Sequence, residues 1–300
     1  MGKAYVLYNP LAGNGRCAED IHLLDGMISD EKVLWDMTAS EDYGGLFASM
    51  EEEDYVILCG GDGTLNRFIN QVTEEMLERE ILYFPSGSGN DFAHDLGHQH
   101  GDAPFAIGKY LRDLPTVEIR GKTWRVLNGV GYGIDGYCCQ VGDHLRATSD
   151  KKINYTGIAI KGLLFHYKPK NVTVTVDGVP HTYRKVWLTP TMQGRYYGGG
   201  MIPTPDQDRL NEEGSLSVMV LHGCSKWRVL TIFPSIFKGE HVKCKKQVEI
   251  LTGREITVEY DVPTAAQIDG ETVLDVTSLT VRAASPCGAK KELATQEAQA

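Results

Sequence analysis

The sequence contains no apolar run approaching the roughly 20 residues that a helix needs to cross a bilayer. Its most apolar stretch, Gly157–Tyr167, is interrupted by Lys161, so no transmembrane segment is expected. Positive charge is also scarce: 30 Lys and Arg face 40 Asp and Glu, for a net charge of -10. That balance excludes nucleic acid as a partner, because phosphate binding needs a basic surface. It also argues against a general polybasic anchor, so any approach to a membrane must use local patches. The seven cysteines are scattered without a CxxC pair, which fits free thiols in a reducing compartment rather than a disulfide framework. The N-terminus runs directly into a strand-like segment, Ala4–Tyr8, without the basic and apolar parts of a signal peptide. A cytoplasmic protein is expected, with peripheral membrane contact left open. No internal repeat is present.

What is present suits two domains, since 300 residues exceed the usual single-domain size. In the first third, short apolar runs (Ala4–Tyr8, Lys32–Asp36, Tyr55–Cys59, Ile81–Phe84) alternate with amphipathic stretches such as Glu19–Ile28 and Leu65–Val72. Strands alternating with helices predict βαβ units and a parallel sheet. The character changes near Pro115. Thr116–Arg120, Thr123–Asn128, Ser215–Leu221 and Ser278–Ala283 read as strands. Val172–Val176 and Thr182–Leu188 flank Asp177-Gly178, a hairpin signal. Val248–Leu251 and Ile256–Tyr260 flank a second turn at Thr252–Glu255. Helical insertions are expected around Ile153–His166 and Lys226–Phe237. The predicted organisation is an α/β domain with a parallel sheet over 1–122, a β-rich antiparallel sandwich domain over 123–285, and a polar tail over 286–300 whose start packs back on the first domain.

The sharpest local feature is an apolar strand running into Gly60-Gly61-Asp62-Gly63-Thr64-Leu65-Asn66 and then a helix. Open α/β sheets bind ligands at the carboxyl ends of their strands. Glycines let backbone N–H groups approach phosphate oxygens, and the helix N-terminus adds positive field. A carboxylate beside a triphosphate is repulsive unless a cation intervenes, so Asp62 is expected to face Mg²⁺ or an acceptor hydroxyl. The bland alternative is a helix cap. A second loop, Pro85-Ser86-Gly87-Ser88-Gly89-Asn90-Asp91, ends the next strand and brings Ser88, Asn90 and Asp91 to the same edge. A third, Asn9-Pro10-Leu11-Ala12-Gly13-Asn14-Gly15-Arg16, follows the first strand.

With these blocks the sequence resembles the diacylglycerol-kinase catalytic superfamily, which includes sphingosine and ceramide kinases, and is most similar to its short bacterial members. Asn128-Gly-Val-Gly131-Tyr-Gly133-Ile-Asp135 and Ile268-Asp269-Gly270-Glu271 also carry the resemblance, which spans nearly the whole chain. It implies a fold like that of NAD kinase and phosphofructokinase, with ATP in the cleft between the domains. The implied nucleotide contacts are Asn9, Thr38, Gly60, Gly61, Asp62, Gly63, Thr64, Leu65, Asn66, Ser88, Asn90 and Asp91. Glu271 matches the family's proton acceptor, with Asp62 and Asp269 as further catalytic candidates. A family magnesium site near a P…DG-x-L segment maps onto the Leu210 carbonyl, Glu213 in place of the usual aspartate, and the Ser215 carbonyl. ATP and Mg²⁺ are the implied cofactors, and a lipid hydroxyl at a membrane surface the acceptor; a homodimer is left open.

Phosphoryl transfer asks for in-line positioning and charge neutralisation, plus a carboxylate within reach of the acceptor proton. Two other readings remain. NAD kinases and 6-phosphofructokinases share the GGDG block and act on soluble acceptors. A catalytically silent lipid- or nucleotide-binding regulator would keep the fold without turnover. Two features read as structural: His94, His98 and His100 as a surface loop, and Cys138-Cys139 as packing on a strand.

Overall fold

The computed structural model describes residues 2–148 and 155–284. The chain divides into two compact units, Met1–Arg112 and Asp113–Ala300.

In the first unit, β1 (Ala4–Tyr8), β2 (Lys32–Asp36), β3 (Tyr55–Gly60) and β4 (Ile81–Pro85) form a parallel sheet in the order β2-β1-β3-β4, with the short β5 (Phe105–Ala106) antiparallel at the β4 edge. The apolar runs dictate this. β3 and β4 are buried almost throughout, as strands covered on both faces must be. The helices are α1 (Cys17–Asp20), α2 (Tyr43–Ser49), α3 (Asp62–Gln71), α4 (Asp91–Asp95) and α5 (Gly108–Leu111). The expected helix over Glu19–Ile28 is instead α1 followed by a 3₁₀ segment, Ile21–Gly26. Cys17, Ile21 and Leu24 pack on Ala4, Val6, Ile57, Cys59 and Phe84.

The second unit is antiparallel. Its strands are β6 (Thr116–Ile119), β7 (Lys122–Arg125), β8 (Gly129–Tyr132), β9 (Lys170–Val176), β10 (Val179–Val186), β11 (Thr191–Met192), β12 (Leu216–Leu221), β13 (Val248–Gly253), β14 (Glu255–Ile268) and β15 (Glu271–Arg282). The order is β13-β12-β11-β8-β14-β15-β6-β7, with the β9–β10 hairpin joined to β14 through β9. β14 pairs with β9 through Ile256–Tyr260 and with β8 through Ala266–Ile268. Between these stretches its register against β15 shifts, which lets one long strand serve both parts of the sandwich. β12 shows the layering. Its Leu216, Val218 and Val220 enter the core between strands, while Met219 and Leu221 face a second core, as the two-residue period of a strand requires. That second core is closed by α6 (Ile134–Thr148), α7 (Tyr155–Lys161) with its π-helical continuation Gly162–His166, and α8 (Lys226–Ile236).

Several expectations are corrected. The units divide after Arg112, not after residue 122, because β6 and β7 form a hairpin whose β6 pairs with β15. β13 and β14 do not pair across Thr252–Glu255; β13 adds to β12 and β14 to its own neighbours. Alternation identifies a strand but not its partner. Cys138 and Cys139 lie on α6, not on a strand. Ile153 and the tail 286–300 lie outside the described residues.

Candidate active site

Three loops meet at the carboxyl ends of β1, β3 and β4, and backbone packing locks them together. Gly13, in the left-handed region at φ 64°, lies so close to the next loop that a Cβ would sit 2.4 Å from the Ser86 carbonyl oxygen. A Cβ on Gly87 would sit 2.3 Å from the Gly61 Cα, and one on Gly61 would sit 2.9 Å from the Gly87 Cα. These glycines are therefore required by close approach of chain to chain. The Ser86 N–H donates to the Gly60 carbonyl at 2.9 Å. The Asn90 Oδ1 accepts from the Gly87 N–H at 3.0 Å and its Nδ2 donates to the Gly87 carbonyl at 3.1 Å, so its side chain pins the second loop.

Asp62 is shared between loops. Its Oδ2 accepts from the Asp91 N–H at 3.0 Å and its Oδ1 from the Phe92 N–H at 2.8 Å. The carboxylate thus caps α4 rather than its own helix. α3 begins at Asp62 with Gly61 as N-cap. Gly63, in its first turn, is exposed, and a Cβ there would meet nothing within 4 Å. This is the open side of the cradle. Ser88 is exposed in the second loop and accepts a long contact from Asn14 Nδ2 of the first loop at 3.5 Å. Asn9 starts the first loop, its Oδ1 accepting from the Leu11 N–H at 3.0 Å. Thr38 is exposed after β2, and its N–H and hydroxyl both donate to Asp36 Oδ1 at 2.7 Å. Thr64, Leu65, Asn66 and Asp91 are buried. The N–H groups of Thr64 and Leu65 are spent on the Gly61 carbonyl, so these two residues support the cradle from behind.

In the second unit, Asp269-Gly270 is the tight turn between β14 and β15, with φ 47° and 96°. Asp269 carries more than a turn. Its carboxylate accepts from the N–H groups of Leu127 at 2.6 Å, Asn128 at 2.7 Å and Gly129 at 3.0 Å. On the other side of this segment, buried Arg209 donates to the Leu127 carbonyl at 2.5 Å and to Asn128 Oδ1 at 2.6 Å. An anion and a cation therefore clamp Leu127–Gly129. Glu271 opens β15 and is exposed.

Asp135 and Gln267, which the motif reading did not assign, lie behind this turn. Gln267 Oε1 accepts from the Gly270 N–H at 2.5 Å and its Nε2 donates to Asp135 Oδ2 at 2.8 Å. Burial pushes the Asp135 carboxyl up to about 6, and the Gln267 hydrogen bond works the other way. An acid inside the glycine-rich apolar run Gly129–Cys139 was the available signal.

The expected magnesium loop is held by side chains reaching its backbone. The Ser215 carbonyl already accepts from Gln207 Nε2 and Asn211 Nδ2, both at 2.9 Å. The Glu213 carbonyl accepts from the Arg254 guanidinium, and the Glu213 residue is exposed. Two amides and an arginine thus fix the backbone of this loop. Among the described residues no group of three or more His, Cys, Asp or Glu could hold a metal. His98 pairs with Asp102 at 3.4 Å and His100 with Asp20 at 2.9 Å, while His94 lies on α4 rather than in the loop.

Residues 3–117 match the diacylglycerol kinase catalytic domain model, and residues 128–286 match the YegS C-terminal NAD kinase beta sandwich-like domain. A diacylglycerol kinase of Mycobacterium tuberculosis (strain CDC 1551 / Oshkosh) is 25% identical over 276 residues, covering 88% of this chain and 86% of the relative. A crystal structure of a diacylglycerol kinase from Bacillus anthracis str. Sterne superposes with a TM-score of 0.58 at 18% identity, covering 95% of this chain and 94% of that one, and so shares the fold. Two domain matches in the same order over nearly the whole chain, set on an interlocked glycine rim, place this chain in the diacylglycerol kinase catalytic family.

Proposed function

We propose that this kinase transfers the terminal phosphoryl group of ATP to the hydroxyl of a diacylglycerol-like lipid. The observation that carries the reading is the open first turn of α3: Gly63 faces empty space on a rim where three loops are locked by backbone contact. Such a rim offers N–H groups and helix-end field to an anionic chain of phosphates at no reorganisation cost. Asp62, fixed by two N–H donors, would face a magnesium ion travelling with the nucleotide, whose chemistry would be to neutralise the phosphates. Ser88 and Thr38 contribute hydroxyls at the same rim.

Glu271 is the proton acceptor for the lipid hydroxyl. It is exposed and stands on a turn held by Asp269, Gln267 and the Leu127–Gly129 segment, so its backbone is fixed while its carboxylate is available. Asp269 is a positioning residue, because three backbone N–H groups occupy its carboxylate. Diacylglycerol is the preferred acceptor because the Mycobacterium relative is a diacylglycerol kinase.

Labelled ATP offered with diacylglycerol, phosphatidylglycerol, sphingosine, NAD and fructose 6-phosphate tests this reading. Phosphatidate formed from diacylglycerol is expected. Transfer to NAD or fructose 6-phosphate alone would overturn it, and so would ATP binding with no transfer to any acceptor.

A further inference from the structure

Charge is unevenly distributed along the chain. Residues 155–170 carry Lys161, Lys168 and Lys170 without an Asp or Glu, and residues 222–247 carry Lys226, Arg228, Lys238, Lys243, Lys245 and Lys246 against Glu240 alone. Together these stretches hold nine of the 30 Lys and Arg and one of the 40 Asp and Glu. The fold joins them. Lys226 Nζ donates to the Leu164 carbonyl at 3.2 Å, which fixes the start of α8 beside the π-helical turn Gly162–His166.

At that junction large apolar side chains face solvent: Phe165 is 75% exposed, Trp227 65% and Ile160 42%. The core does not need them, because Ala159, Leu163, Val229 and Ile232 on the same elements already fill it. Exposed Lys161, Lys168, Lys226 and Arg228 each lie within three residues of one of them in the chain, with Lys226 Nζ 5.5 Å from the Trp227 ring centroid. His166 and Lys168 also line a cavity of about 420 Å³ with Lys170 and Asp275. A large exposed apolar patch calls for a partner. Trp and Phe ringed by lysines suit the boundary between lipid headgroups and acyl chains.

We propose that the face around Phe165 and Trp227 docks this protein on an anionic lipid bilayer. The two aromatic rings enter the headgroup–acyl boundary, and Lys161, Lys168, Lys226 and Arg228 meet the anionic headgroups. A second copy is the poorer occupant, because a two-fold contact would set this cationic patch against itself. The proposal deepens the lipid-kinase reading by naming where the protein meets its substrate's phase, and rests on that reading only in the choice of a bilayer as partner.

The test uses the full chain without ATP, sedimented with vesicles of phosphatidylcholine alone or mixed equally with phosphatidylglycerol. Binding to the mixed vesicles is expected, with a blue shift in tryptophan emission that disappears in Trp227→Phe. Phe165→Ser and Trp227→Ser each raise the lipid concentration for half-binding roughly tenfold, the loss expected for one large side chain leaving an apolar phase. Lys161→Glu with Lys168→Glu removes the preference for the anionic vesicles. Melting curves of all variants match the parent. Unchanged half-binding in both serine variants overturns the proposal, as does a parent dimer that the serine variants convert to monomers. Transfer to micellar lipid, assayed on the same variants, stays at the parent level; docking without transfer to any lipid sinks the kinase reading alone.

Discussion

The glycine rim of the first unit and the Glu271 turn of the second are built in opposite ways. The rim is made of main chain: Gly13 on Ser86, Gly61 on Gly87, and Asn90 on its own loop. Its residues arrive in three contiguous blocks. The turn is made of side chains brought from far apart in sequence: Asp135, Arg209, Gln267 and Asp269. A rim of main chain tolerates no added atoms where its loops touch but has space where ligand is expected. A turn held by buried charge tolerates atoms but not the loss of a partner.

The largest expected effect falls on chemistry alone. Glu271→Gln lowers kcat by roughly 10²–10⁴-fold, the usual worth of a positioned base, with the melting temperature unchanged because the side chain is exposed. Steady-state turnover within tenfold of the parent would move the base elsewhere. Asp62→Ala loses turnover too, but also about 1–2 kcal/mol of stability, since it uncaps two N–H groups. Stability separates the two carboxylates.

Next comes the clamp. Asp269→Ala strips three backbone N–H groups of their acceptor. Urea melts should show a loss of about 3 kcal/mol, the order expected for three donors left unsatisfied. A loss under about 1 kcal/mol would mean the turn is held by other means and would erase the contrast with the rim.

Asp135 gives an effect no larger than this, with a defined pH dependence. Its folded pKa of about 6 lies above the ordinary 3.8, so the folded state binds the proton more tightly. Stability is fully present below about pH 4 and declines as pH rises to about 6. The deficit above that approaches about 3 kcal/mol at 1.36 kcal/mol per pK unit. Asp135→Asn should raise the melting temperature at pH 8 and change it little at pH 4. An equal shift at both values would show that the carboxyl is not under this strain.

The smallest effect is the cleanest probe of the rim. Gly63→Ala adds a methyl to open space in a helix and should stabilise the fold by about 0.5–1 kcal/mol, while weakening ATP binding measured by calorimetry. Gly61→Ala should destabilise it. ATP affinity equal to the parent in Gly63→Ala would remove phosphate from that side of the loop.

The same division governed what could be read from sequence. The strands of the first unit and its three loops were legible because each is a contiguous run, apolar then glycine-rich, and the sheet has only to align them. α6 was not. Gly136 and Gly142 speak against a helix, yet the structure requires them: a Cβ on Gly136 would lie 2.0 Å from the Ala265 carbonyl oxygen, and one on Gly142 2.7 Å from the Tyr155 ring. The helix is packed too closely for side chains there, and close packing has no local signature. The way the loop over residues 210–215 is held was hidden for a related reason. Arg254, distant in sequence, holds the Glu213 carbonyl, and a motif does not report its remote neighbours. Asp269 stood out in the sequence as a catalytic candidate, but its role as the anchor of Leu127–Gly129 was not legible.

The contact of Gly61 with Gly87 ties two motifs into one heritable unit. Neither position can gain a side chain while the other loop stays in place, so neither can drift alone. A library randomised at both codons and selected only for folded protein should return glycine at the two positions together. A descendant that lost one glycine would have to rebuild the opposite loop before it recovered either motif.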